Sequence, residues 1–344
     1  MRTLSPFALS VAQRSRRAKQ SRGARNVLAF SLYLCATSAF PATWQPTRNV
    51  EVIVSTSPGS GSDRAARLIQ KLLAEKNLVR APVTVVNKPG GQGVIGLTYL
   101  TQHPADGHYI MVTSPSLLAN QITGRSKLGY RDTTPLAQLG AEYVVFTVRS
   151  DSPVASARDL AERLKANPGS FTFSIGTTIG SHNHIAVAQL AKAVGIDPRP
   201  IKVIAFSGSA DGTTALLGGH ISVSASPGSA VSEHAAAGKL RMLAVSSERR
   251  QSGPLANVPT WKELGLPVVS ANWRSVVGPK GMPEEQIQYW DTVFTTLVRT
   301  AEWKQSIASE HMENTYSDSR ATLELMEAQY KAMAASLAEL GLVK

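Results

Sequence analysis

Apolar residues in this chain alternate between two rhythms. The short β-branched run formed by Val50, Val52, Ile53 and Val54 has the composition of a buried strand. It stops at Pro58 and Gly59, and an amphipathic segment from Ala65 to Ala74 follows with helical spacing. The same alternation predicts strands over 83–86, 108–113, 143–148, 171–175, 201–205, 221–225 and 240–245. Helices are predicted over 93–102, 156–166 and 211–217, and from the loop ending at His184 to Val194. A strand over 268–277 and three helices over 285–299, 302–310 and 319–340 complete the pattern. Strands and helices alternating at this spacing predict βαβ units and an α/β fold with a mostly parallel sheet. Arg149–Pro153 reads as a crossing between two lobes, and the run at 268–277 as the return to the first.

The strand ends repeatedly carry Ser, Thr and Gly, at Ser57–Ser62, Ser114–Ser116, Thr177–Ser181, Ser207–Ser209 and Ser226–Ser229. Glycines let backbone N–H groups come close to a ligand, and a helix N-terminus adds the positive end of its dipole. The loop around Gly59 and Gly61 therefore reads as an anion cradle, or else as a strand-to-helix turn whose serines cap the helix. In open α/β sheets ligands lie outside the carboxyl ends of the strands. Two such lobes facing each other would converge these loops on one small, polar, oxygen-rich ligand.

Charge changes the picture at one end only. The formal charge of +12 includes Arg2, Arg14, Arg16, Arg17, Lys19, Arg22 and Arg25, with no acid before residue 43. Without those seven the surplus is +5, which argues for no nucleic acid or other polyanion. The basic start is followed by the apolar run Val27–Ala36 and then by small residues, which makes residues 1–42 a secretory signal with cleavage after Ala39 or Ala42. The run is too short to cross a bilayer. Cys35, the only cysteine, lies within it behind Leu34, where a lipoprotein needs a small residue. The mature chain is then expected to contain no disulfide and no thiolate metal site.

Three patterns in the chain touch on catalysis or cofactor binding. Gly91-Gln-Gly-Val-Ile-Gly96 matches the dinucleotide fingerprint, but in the second βα unit and without the later ribose-binding acid, so a close-packed turn is the preferred reading. Ser181 shares its loop with His182 and His184, the nearest approach to a hydrolase, yet the chain has no G-x-S-x-G elbow. Hydrogen bonding or helix capping is the expected role of that cluster. The two histidines have no third ligand nearby in sequence, so no metal and no cofactor are expected.

Several motifs stand in register with one family. They are Ser57-Pro-Gly-Ser-Gly-Ser-Asp63, Asn87-Lys-Pro-Gly-Gly-Gln-Gly93, Pro104-Ala-Asp-Gly-His-Tyr109 and Gly176-Thr-Thr-Ile-Gly-Ser-His-Asn-His184. Ala215-Leu-Leu-Gly-Gly-His220, Ala236–Val245, Val258-Pro-Thr260 and Ala271-Asn-Trp-Arg274 follow. Together, from about residue 48 onward, they resemble the extracytoplasmic receptors of the tripartite tricarboxylate transporter family, the Bordetella uptake gene receptors, and look closest to its tricarboxylate branch.

The resemblance implies a two-lobed, type II-like periplasmic binding protein that closes a cleft around a small carboxylate without catalysis. It implies lobe 1 over 46–147 and 256–344, lobe 2 over 148–255, and a monomer that serves membrane permease subunits. Carried over by position, Ser57, Gly59, Ser60 and Gly61 form one jaw and Thr177, Thr178 and Ser181 the other. Ser114, Ser116, His184, Phe206 and Ser207 complete the cleft, and Asp63 orders the first loop. Ser60, Thr178, His182, Asn183 and Ser222 depart from the family's usual residues, which leaves the ligand open between a di- or tricarboxylate and an aromatic acid. Because the short loops hold no Arg or Lys, neutral donors and helix dipoles are expected to bind it. The competing reading is a secreted hydrolase using Ser181 and His184.

Overall fold

The computed structural model describes residues 44–343 apart from Thr177 and Ser207. The expected signal segment lies outside the described residues. In β1 (Val50–Val54), Val50, Val52 and Val54 pack with Ala66, Ile69, Leu72 and Leu73 of α1 (Gly61–Glu75). β1 pairs in parallel with β2 (Val83–Asn87). Ile53 turns to the other face, against Leu97 and Leu100 of α2 (Val94–Thr101). This is the two-residue alternation of a strand covered on both sides. β3 (Tyr109–Thr113) joins the other edge of β1, also in parallel.

The chain continues through α3 (Ser116–Ile122) into β4 (Thr133–Arg149) and α4 (Ala157–Ala166). A second βα series follows: β5 (Thr172–Ile175), α5 (His182–Ala193), β6 (Lys202–Ala205), α6 (Ser209–Leu217) and β7 (Val223–Pro227). α7 (Ser232–Ala236) and β8 (Leu240–Val245) close it. β9 (Ala271–Pro279) then precedes α8 (Glu284–Leu297), α9 (Ala301–Ser309) and α10 (Ser319–Glu339). The strand order is β2-β1-β3-β9-β4-β7-β5-β6, with β8 beside β4. Pairing is parallel among β1, β2 and β3 and among β5, β6 and β7, as the alternation predicts, and antiparallel wherever β4 or β9 takes part.

β4 starts ten residues before the strand expected from Tyr143. Thr133–Tyr143 pairs with β9, Val144–Thr147 with β7, and Val145–Arg149 with β8. Its first part lacks clean alternation because Pro135, Gln138 and Gly140 interrupt it, and the register with β9 shifts around Pro135 and Gln138. Gly140 is needed there, since a Cβ would lie 2.9 Å from the Glu313 carbonyl oxygen. α3 and α7, of seven and five residues, are too short to leave a helical period in the sequence. The glycine fingerprint at 91–96 forms a turn: Gly91, Gln92 and Gly93 all have positive φ, and a Cβ on Gly96 would meet Ser55 at 2.8 Å. No helix of the described residues is long and apolar enough to cross a membrane.

Asp63, in the first turn of α1, ties the β1–α1 loop to α1 and to β2. Its buried carboxylate accepts from Gly59 N–H at 2.8 Å, Arg67 Nε at 2.9 Å and Asn87 Nδ2 at 2.9 Å. Burial alone would raise this carboxyl, but those hydrogen bonds, that of Arg67 foremost, hold it at about 2. Asp63→Asn removes the charge and keeps the shape, so it should lower stability by about 1.5–3 kcal/mol, read as a lower urea midpoint. In the natural chain Asp63's contribution should be full above about pH 4 and be lost as pH falls toward its folded value. An unchanged midpoint in Asp63→Asn would show that the carboxylate does not order the loop.

Candidate ligand-binding site

The carboxyl ends of β1, β3, β5 and β6 open onto one cavity of about 680 Å³, a size suited to a small organic ligand. From the first jaw, Ser57, Ser60 and Gly61 line it. Ser60 is the N-cap of α1, and its Oγ accepts from Asp63 N–H at 3.3 Å. Capping and cavity lining are thus combined in one serine. Ser114 and Ser116 also face the cavity and hydrogen-bond each other at 3.0 Å. Gln92 is held there by Asn120 Nδ2 to its carbonyl at 3.0 Å and by Arg125 Nη1 to its Oε1 at 3.1 Å.

The second jaw is the N-terminus of α5. Thr178, Ser181 and His182 line the cavity, with Phe206 beyond β6. Ser181 occupies the N-cap position, yet its side chain makes no cap bond, and its buried Oγ has no partner. Nε2 of His182 is likewise buried without a partner. Burial, and secondarily the charge of Arg274, push the His182 imidazole down to about 3, so it is neutral at ordinary pH. Burial alone brings His184 to about 4.

The floor comes from β9. Trp273 packs with Met326 and Leu337 of α10, and its neighbour Arg274 takes the opposite strand face, into the cavity. Arg274 lies opposite Gly140 of β4 and Glu142 opposite Asn272, so arginine and glutamate sit diagonally across adjacent strands. Arg274 Nη2 donates to Glu142 Oε1 at 3.2 Å and Nη1 to the Trp273 carbonyl at 3.3 Å. Asn272 Nδ2 donates to the same Glu142 oxygen at 2.6 Å. Gly61 of α1 comes so close that a Cβ there would lie 3.0 Å from Arg274 Nη2.

Of the residues expected at the site, Ser57, Ser60, Gly61, Ser114, Ser116, Thr178, Ser181 and Phe206 line this one cavity. Thr177 and Ser207 lie outside the described residues. Gly59, Asp63 and His184 do not line it: Gly59 and Asp63 bond each other beneath the loop, and His184 Nδ1 accepts from Gly180 N–H at 3.0 Å. With His184 Nδ1 taken by Gly180 N–H and Ser181 Oγ without a partner, the nucleophile–base hydrogen bond of a hydrolase is not formed. The serine-rich turn at 226–229 is away from the cavity. The expectation of a site without cations needs correction, because Arg125 and Arg274 both line the wall. Arg274 stood in the Ala-Asn-Trp-Arg motif. As the single charge in an otherwise uncharged strand it carried a signal that loop composition did not use. Among the described residues no group of three or more His, Cys, Asp and Glu side chains gathers to hold a metal.

Comparison with known proteins gives the family and the fold. The model of the tripartite tricarboxylate transporter family receptor matches residues 65–342. Protein BugT of Bordetella pertussis is 31% identical over 242 residues, 69% of this chain and 72% of that protein. A TctC solute binding protein from Polaromonas superimposes with a TM-score of 0.77 at 27% identity, covering 86% of this chain and 99% of the other. A protein of R. palustris solved with adipate gives a TM-score of 0.70 at 25% identity, covering 87% and 99%. The α/β fold with its ligand cleft is that of a two-lobed periplasmic binding protein. This chain belongs to the tripartite tricarboxylate transporter family of receptors, and is a solute-binding receptor rather than an enzyme.

Proposed function

We propose that this chain is an exported receptor that captures a small organic acid, a di- or tricarboxylate or an aromatic acid, and presents it to the membrane permease subunits of a tripartite transporter. The sign of the cleft wall carries this reading. Among the described residues that line it are two arginines and no aspartate or glutamate. The N-termini of α1 and α5 add the positive ends of helices of 15 and 12 residues. In this reading the acid lies between Ser57, Ser60 and Gly61 on one side and Thr178 and Ser181 on the other. Ser114, Ser116 and Phe206 bound its length. The adipate of the R. palustris relative supports a carboxylate ligand. The basic, then apolar, first 42 residues support export, and the family's association with transporters supports the permease partner.

Ligand class is tested by thermal shift and titration calorimetry. Adipate, malate, citrate and benzoate, set against glucose and putrescine, cover the classes. At a hundred times its dissociation constant a true ligand stabilises by about 2.7 kcal/mol. At least one acid should raise the melting temperature, and the sugar and the amine should not. Since Arg274 is buried, raising salt from about 50 to about 300 mM should weaken binding only modestly. Stabilisation by glucose or putrescine alone would overturn the reading.

The neutral His182 gives a second expectation. The unfolded chain takes up a proton at each histidine near about pH 6.5, whereas folded His182 and His184 resist until about 3 and about 4. The unfolded state therefore binds more protons in this window, and stability should fall as pH is lowered through it. The slope reaches about 1.4 kcal/mol per pH unit for each group. Urea titrations should show a shallower pH dependence in His182→Gln than in the natural chain, and equal slopes would mean that His182 is protonated in the fold.

Export has its own test. The periplasmic form should begin between about residues 38 and 46, as read by N-terminal sequencing. Retention of Arg14–Arg25 would overturn export by a cleaved signal.

A further inference from the structure

Arg274 is 8% exposed, and an arginine so deeply placed is expected to engage its whole planar fork of N–H donors. Here the fork is only partly engaged. Nη1 and Nη2 make single hydrogen bonds of 3.3 and 3.2 Å, and the buried Nε has no partner. Nε and Nη2 form one edge of the guanidinium, the edge that a carboxylate grips with two parallel hydrogen bonds. Glu142 reaches only Nη2, with an oxygen already shared with Asn272. Leaving a donor of a buried charged group unsatisfied costs more than losing an ordinary hydrogen bond. The Glu142 pairing keeps the buried cation tolerable without completing its bonding.

The cleft therefore offers two separate sets of unfilled donors. One is the α5 N-terminus with the free Ser181 Oγ. The other is the Arg274 edge, whose Nη2 lies against Gly61 in the first turn of α1. Resting on the receptor reading above, we propose that Arg274 is the specificity-determining residue of the cleft and reads a second anionic group of the ligand, for which Glu142 is the resident competitor. A ligand with one carboxylate fills the α5 set and leaves the Arg274–Glu142 pair as it is. A ligand with a second carboxylate takes the Nε/Nη2 edge as well. A neutral group of the same length at that end gains no charge-assisted bond.

The experiment compares adipate, succinate and malate with their monomethyl esters by titration calorimetry, on the natural chain, Arg274→Gln, Arg274→Lys and Glu142→Gln. Melting curves check that each variant is folded. In the natural chain at least one diacid should bind about ten- to a hundredfold more tightly than its ester, the worth of a charge-assisted pair. Arg274→Gln should bring that ratio close to one, and Arg274→Lys, which keeps the charge but loses the fork, should give an intermediate ratio. Glu142→Gln should raise the ratio by removing the competitor, and this arm decides the matter if the Arg274 variants do not fold. A ratio near one in the natural chain, or one unchanged in folded Arg274→Gln or in Glu142→Gln, overturns the assignment and leaves the receptor reading standing. Failure of the natural chain to bind any acid of the wider panel overturns the organic-acid reading of the ligand and this inference with it.

Discussion

The antiparallel pairing of β4 with β9 is the constraint from which the cleft follows. β4 is long enough to bond β9 through Tyr143 and then β7 and β8 from Val144 onward, so one strand belongs to both parallel series. Because those series share it, β1, β3, β5 and β6 deliver their carboxyl ends to one cavity. The same pairing places Glu142 and Arg274 on adjacent strands at the point where β4 changes partners. Strand alternation does the rest. Trp273 turns into the α10 core, and Arg274 must then face the cleft.

Electrostatics and burial act together around that floor. Two helix N-termini and a buried guanidinium favour negative charge, and the acids near them are committed elsewhere. Asp63 is turned beneath its loop by Gly59, Arg67 and Asn87, and Glu142 is held by Arg274 and Asn272. Desolvation keeps His182 uncharged, which avoids a second buried cation beside Arg274. Polar atoms left without a partner there include Ser181 Oγ, His182 Nε2 and Arg274 Nε. A binding protein that must release its ligand has reason to leave such groups for the ligand to satisfy, at some loss of stability in the free form.

Much of this was legible in the sequence where the signal is local. The run Val50–Val54, the spacing of Ala66, Ile69, Leu72 and Leu73, and the serine and glycine clusters at strand ends report on residues within a few positions of themselves. They determined most of the strands and helices and the class of fold, and they singled out the loops at Ser57–Gly61 and Thr177–Ser181 as the expected jaws. What only the tertiary structure decided depends on partners far along the chain. Thr133–Glu142 is a strand because β9, more than a hundred residues later, covers its irregular pattern. Ser181 lost its expected capping bond and His184 its expected place in the cleft through the turn of α5. Arg274 meets Glu142 across 132 positions, and its guanidinium rests on Gly61 from the other end of the fold. A loop's composition shows which donors it owns. Whether a charge borne on a distant strand is buried against that loop depends on sheet register and strand face, and these exist only once the chain has folded.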